Sequence, residues 1–228
     1  MYAVSVIIPA LNEERYIANC LACLTAQTIP LDQFEVILID NGSTDRTRDV
    51  AESFQSKISL TILTRIGGTI AGLRNEAARH AHGEIFAFLD ADCYVAPDWL
   101  EAGIRLADKA KGVWGAHYRL TGDSTWISRI WVAYQAHEVE GDCSFIPSSN
   151  LFIHASDFRD LNGFNVRVPT SEDVELCTRA HARGMSVTAY PILAVLHAKS
   201  PRTLMEFYRK NRWHGISVLP ISFAIFHP

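Results

Sequence analysis

Four short apolar runs, each separated from the next by a helical pattern, leave this chain few ways to fold. "VSVII" (4–8), "EVILI" (35–39), "SLTIL" (59–63) and "EIFAFL" (84–89) carry apolar residues on both faces of an extended strand. Such strands must be covered on both sides, which points to a parallel sheet between two layers of helices. Between the runs the period changes to that of a helix: Glu14 to Gln27 places Tyr16, Ile17, Cys20, Leu21 and Leu24 on one face. "NGSTD" offers cap residues for a second helix through Phe54, and Ala71 to His82 reads as a third, ended by Gly83. Right-handed crossovers then give an α/β fold with a Rossmann-like, mostly parallel central sheet and flanking helices. At 228 residues, with 48% of them hydrophobic, the chain is long enough for one sizeable core. It shows no repeat, low-complexity tract or linker, so a single domain over 1–228 is predicted.

The second half is less regular. Trp114 to Arg119 reads as a strand, Ser124 to Val139 as an aromatic-rich amphipathic helix, and "FIPSSNLFIHAS" as a loop entering a strand. "NGF" makes a tight turn, and Ser171 is expected to cap a helix that has Glu172 and Asp173 in its first turn and stops at Gly184. "SVTAY" and "AVLH" read as strands, followed by the basic segment "KSPRTLMEFYRKNRWHG" and an apolar tail, "GISVLPISFAIFHP".

Ligands of open α/β sheets bind at the carboxyl ends of the strands, and the unusual residues gather there. Pro9 leads into "ALNEE", Asp40 into "NGSTD", and Asp90 and Asp92 end the fourth run in "FLDADCYV". An aspartate at a strand end is usually a turn former, but two carboxylates one residue apart repel unless a donor, a proton or a hard divalent cation intervenes. "RIGGTIAGLRNEA" brings Gly67, Gly68 and a helix start to the same rim, where backbone N–H groups and the Arg74 guanidinium are expected to face an anion.

Composition removes several alternatives. A formal net charge of −4 gives no basic field for nucleic acid, and none is expected as a partner. The first turn, "PALNEE", lacks the Gly-x-Gly-x-x-Gly of dinucleotide oxidoreductases. Five cysteines, an odd number among apolar neighbours, suggest reduced thiols, and Cys20-x-x-Cys23 falls in mid-helix, where packing is its expected role. His80, His82 and His181 read as surface residues. The start has no basic, then apolar, leader pattern, so a cytoplasmic location is expected. The tail is shorter than the about 20 residues a bilayer span needs. It is expected either to touch the inner face of a membrane peripherally or to pack on the second half.

Together "VSVIIPALNEERYI", "FEVILIDNGSTDRT", "RNEAARHAHGEIFAFLDAD" and "GFNVRVPTSEDVELCTRAHARG" resemble the inverting glycosyltransferases of family 2, which have the GT-A fold. The resemblance runs from Val4 to Trp213. It implies a nucleotide-sugar-binding half (1–95), a smaller acceptor and catalytic half (96–213) and the apolar tail (214–228). The donor would be a nucleotide-diphosphate sugar, and the acceptor a glycan, a lipid-linked molecule or a small metabolite. Pro9, Leu11 and Glu13 would pack on the base and ribose, although Leu11 stands where an aromatic is common. Asp40 would accept a hydrogen bond from the base, Arg74 would lie near the nucleotide and Asp90 by the ribose. Asp92, with Asp90 and His197, would hold Mg²⁺ or Mn²⁺ against the diphosphate, and Arg202, Arg209, Lys210 and Arg212 would face the diphosphate or a phosphate-bearing acceptor. Arg209 replaces the glutamine of the Gln-x-x-Arg-Trp segment in processive members. Asp173 would be the general base, with Glu172 beside it. The alternative is a noncatalytic nucleotide-sugar-binding module, against which this acidic pair argues.

Overall fold

The computed structural model describes residues 2–119, 124–135 and 140–212. Trp213, the apolar tail and the predicted end of the aromatic-rich helix (136–139) lie outside the described residues.

Four parallel strands form one half of an eight-stranded sheet: β1 (Val4–Ala10), β2 (Phe34–Asp40), β3 (Leu60–Thr64) and β4 (Ile85–Leu89), in the order β3-β2-β1-β4. Ala10 lies opposite Asp40 and Asp40 opposite Thr64, so three strands end level and open one crevice. Alternate residues serve opposite layers. Val6, Ile8, Val36 and Leu38 face α1 (Ile17–Thr25) and α4 (Trp99–Ala107), while Ile7, Ile37 and Ile39 face α3 (Ile70–Arg79) and α7 (Glu172–Ala182). Every residue of β1 and β2 is buried, as the two-faced apolar pattern requires.

The sheet continues beyond β4 through β9 (Asn150–His154), β6 (Gly112–Gly115), β10 (Ser186–Ala189) and β8 (Gly141–Asp142). Here β9 runs antiparallel to both β4 and β6. The expected strand Trp114 to Arg119 is two strands in two sheets. β6 pairs with β9 and β10, whereas β7 (Tyr118–Arg119) joins β11 (Val195–His197) and β5 (Cys93–Tyr94) in a small three-stranded sheet. The break follows from Asn150, whose amide donates to Ala116 O at 2.9 Å and to Leu193 O at 2.8 Å, holding the chain between the two sheets.

Helix ends also shift. α3 stops at Arg79 because His80 N and Ala81 N turn back to Ala77 O and Ala78 O. Gly83 serves a close approach instead of a helix stop, since a Cβ there would lie 2.5 Å from Ser5 N. The second helix, α2 (Thr47–Glu52), ends before Phe54. The aromatic-rich helix, α5 (Trp126–Gln135), starts where Thr125 Oγ1 accepts from Ser128 N at 3.2 Å. α6 (Ala155–Asp160) follows β9, and a final helix, α8, runs over 204–212.

Candidate active site

The loops after β1 and β2 are stitched together by their own polar groups. Asn12, at φ 55°, accepts from Thr44 N at 2.9 Å, and Glu13 N donates to Thr47 Oγ1 at 2.6 Å. Asp40 is 3% exposed, and its carboxylate accepts from Gly42 N at 3.3 Å, Ser43 N at 3.2 Å and Ser43 Oγ at 2.5 Å. The resemblance implies that it accepts a hydrogen bond from the base; in the structure it closes its own turn. Pro9 is likewise buried within β1, so it supports the rim, whereas Leu11, 47% exposed, reaches solvent there. Glu13 is half-buried and donor-matched on one side only. Its Oε1 accepts from Lys199 Nζ at 2.5 Å, its Oε2 has no partner among the described residues, and burial raises its pKa.

At the end of β4 the two aspartates turn different ways. Asp90 Oδ1 accepts from Arg74 Nη2 at 2.7 Å, and Arg74 Nη1 donates to Glu172 Oε1 at 2.5 Å. Arg74 was expected to face an anion; instead it is 2% exposed, clamped between two carboxylates with the Phe164 ring 5.8 Å away. Its place five residues into α3 points it at the neighbouring helix α7, not out of the helix mouth. That mouth is itself capped, as Thr69 Oγ1 accepts from Gly72 N at 3.1 Å, while Gly67 and Gly68 take φ of 80° and 100°.

Asp92 turns toward His197. The antiparallel pairing of Cys93 with His197 in the small sheet brings them together, with His197 Nδ1 3.7 Å from Asp92 Oδ2. Burial first, and the Lys210 charge second, push His197 down to about 3, so its imidazole is neutral and can offer a lone pair. Its buried Nδ1 has no hydrogen-bond partner among the described residues, and burial raises Asp92 above the ordinary carboxylate value. Ligand atoms of Asp92, Cys93 and His197 lie within 4.8 Å of one another. A carboxylate and an orphaned neutral imidazole fit a divalent cation, whereas burial keeps the Cys93 thiol protonated and ill-suited to a hard one. Asp90, expected to share the metal, stands outside this group because Arg74 holds it.

The second acidic pair opens α7. Glu172 is tied to Arg74 and accepts from Ser148 Oγ at 2.9 Å. Asp173 accepts from Ser148 N at 3.0 Å and Val174 N at 2.9 Å. Its pKa is raised to about 6 by burial and, next, by the charge of Glu172, while part of its surface stays open. Ser171 does not cap the helix: it sits at φ 61° in the left-handed region and makes no side-chain cap bond.

Of the basic run, Arg209 and Arg212 point outward and are exposed, contrary to their expected role at the diphosphate. The phase of α8 turns Phe207 and Lys210 inward instead. Phe207 meets Trp131 at 5.8 Å between ring centres, and Lys210 Nζ lies 5.1 Å over the same ring. Burial lowers the Lys210 pKa, while Asp92 and Asp90 pull it back up, which puts its ammonium in the field of the acid corner. Lys199 and Ser148 are the site residues that motif reading missed. Within the basic run, the i,i+3 spacing of Phe207 and Lys210 was the signal that singles out Lys210.

The sequence matches the model of the family described as Glycosyl transferase family 2 over residues 5–161. Glycosyltransferase AglE of Haloferax volcanii is 31% identical over 193 residues, covering 81% of this chain and 63% of AglE. Validoxylamine A glucosyltransferase of Streptomyces hygroscopicus subsp. jinggangensis is 28% identical over 221 residues, covering 81% of this chain and 52% of that protein. The chain thus spans about half to two-thirds of these relatives' length. Among solved structures, the mannosyltransferase PcManGT from Pyrobaculum calidifontis, in complex with GDP-Man and Mn²⁺, superposes with a TM-score of 0.81 at 23% identity, covering 97% of this chain and 64% of that one. S. aureus TarS in complex with UDP-GlcNAc gives 0.70 at 21% identity, covering 96% and 67%.

Proposed function

The chain belongs to glycosyl transferase family 2 and has a GT-A fold, and on that premise we propose that it moves a sugar, with inversion, from a nucleotide-diphosphate sugar to an acceptor hydroxyl. The observation that carries the reading is the acid corner. Asp90 and Asp92 come from the first half of the chain and Glu172, Asp173 and His197 from the second; Asp92 meets His197, and Arg74 joins Asp90 to Glu172. In this reading residues 1–95 bind the donor and 96–213 supply the acceptor side and the base.

The nucleotide enters at the rim made by Leu11, Glu13 and the Asp40 turn. The two structural neighbours, one in complex with GDP-Man and Mn²⁺ and the other with UDP-GlcNAc, support a nucleotide-sugar donor. Asp92 and His197 would hold Mg²⁺ or Mn²⁺, which when bound neutralises diphosphate charge and improves the leaving group. Lys210 adds a cation on the same side. Arg74 keeps Asp90 and Glu172 in place, and Ser148 fixes both members of the second pair. Asp173 takes the proton from the acceptor hydroxyl as that oxygen attacks the anomeric carbon on the face opposite the leaving diphosphate. A pKa near 6 leaves it ionised at neutral pH and basic enough to accept a proton.

A thermal-shift screen of nucleotide sugars identifies the donor, and NMR of the product anomer with matched acceptors tests the reaction. Inverted configuration, lost in Asp173→Asn, supports the proposal; retained configuration refutes it. The noncatalytic-module reading predicts binding with no donor turnover at all.

A further inference from the structure

We propose that the outer faces of α5 and α8 form a docking surface for an anionic lipid bilayer. The two helices lie side by side, joined by Ser128 Oγ donating to Pro201 O at 2.8 Å and by the contacts of Trp131 with Phe207 and Lys210. On α5 the buried side carries Ile127, Ser128, Trp131 and Val132, which leaves Trp126, Arg129 and Ile130 outside at helical spacing. On α8 the inner side carries Phe207, Lys210 and Asn211, and the outer side Leu204, Met205, Tyr208, Arg209 and Arg212. Trp126 is 60% exposed and Tyr208 62%. Large side chains this exposed are ordinary singly but not as two adjoining helix faces.

The chemistry of these faces selects the partner. Aromatic residues with an apolar body and a polar edge, aliphatics beside them, and arginines at the rim are the composition of a helix lying in a bilayer interface. The exposed bases of α5 and residues 201–212 are Arg129, Arg202, Arg209 and Arg212, against the single acid Glu206, in a chain whose net charge is −4. The Glu206 carboxylate is also engaged, accepting from Arg202 N at 2.7 Å. The stretch that follows α8 in sequence, "WHGISVLPISFAIFHP", contains no Asp, Glu, Lys or Arg. Among the described residues no helix is long and apolar enough to cross a membrane, and the proposed association is a peripheral one. The inner face of the same helix carries Lys210 toward the acid corner, which places the site next to the lipid surface.

Flotation of the full chain with phosphatidylcholine vesicles, with and without phosphatidylglycerol, tests this. The wild type rises with the anionic vesicles, less so at high salt, and Trp126→Glu/Tyr208→Glu lowers the bound fraction at least about tenfold. The variant keeps its melting temperature and its nucleotide-induced shift, which separates loss of docking from loss of fold. Wild-type protein that stays at the bottom overturns the proposal. So does a variant that floats like the wild type, because binding would then reside outside these faces. So does a lipid-free dimer abolished by the same double substitution, because the face would then be a self-association surface. None of these readouts depends on turnover, so the proposed reaction and this surface can fail separately.

Discussion

Buried carboxylates stand at both ends of the central sheet, and they are treated differently. At the amino ends, Glu35 Oε1 accepts from Ser5 Oγ at 2.7 Å and His82 N at 2.6 Å, with Oε2 3.4 Å from His82 Nδ1. At the carboxyl ends, the Asp92 carboxylate lies 3.9 Å from the Cys93 thiol and 3.7 Å from the His197 imidazole, and burial raises it. Asp173 is raised too, by burial and a neighbouring acid. A buried acid given its full set of donors ties strands together. One left short of donors, like Asp92, or crowded by a second acid, like Asp173, is held ready in a crevice for a ligand or a proton.

The largest expected effect that sharpens this contrast is on turnover. Asp173→Asn lowers single-turnover transfer by about 10²–10⁴-fold, the usual cost of losing a positioned base, while donor binding persists. Next comes the clamp between the two acid pairs. Arg74→Met leaves Asp90 and Glu172 buried without their cation, and denaturant unfolding shows a loss of about 3–5 kcal/mol. Glu35→Ala at the other end leaves the Ser5 hydroxyl and His82 N–H unpaired and costs about 1–3 kcal/mol, yet activity per folded molecule is unchanged. If Glu35→Ala abolished transfer without unfolding, the two ends would not differ as described.

The pH dependence has a defined sign. Asp173 must be ionised to act, so transfer falls about tenfold per unit below pH 6. Its folded pKa lies above the ordinary aspartate value of about 4, so any stability it contributes is present below about 4 and lost as pH rises through 6. Asp173→Asn therefore gains stability relative to wild type across that window, as melting curves at pH 4 and pH 7 would show. The smallest effect is expected at Ser171. Its left-handed backbone, φ 61°, makes Ser171→Gly stabilising by about 1 kcal/mol, with no change in transfer.

The sheet and its crevice were legible because two-faced apolar strands and helical spacing are local patterns. Asp40, Asp90 and Asp92 fall at strand ends and Glu172 and Asp173 at a helix start, as the same local patterns predict. What the motifs did not carry was which atoms each group faces. Arg74 looked like an anion ligand because helix starts attract phosphate, but its partner Glu172 comes from 98 residues away in sequence. Asp90 and Asp92 looked like one metal pair, and only the pairing of β5 with β11 separates their roles. Arg209 outranked Lys210 by its place in a motif, although the burial phase of α8, set by packing on Trp131, favours Lys210. Ser148 stands alone in a loop, with no pattern to mark it.

The most direct test of the account is a melting-temperature measurement on wild type, Asp92→Asn and Glu35→Ala with nucleotide diphosphates and their sugars, each with and without Mn²⁺. Ligand that binds only the folded state raises the melting temperature by mass action. The account predicts a rise with at least one nucleotide in wild type that requires Mn²⁺, the same rise in Glu35→Ala from its lower baseline, and none in Asp92→Asn. An equal Mn²⁺-dependent rise in Asp92→Asn, or no rise with any nucleotide in wild type, contradicts it.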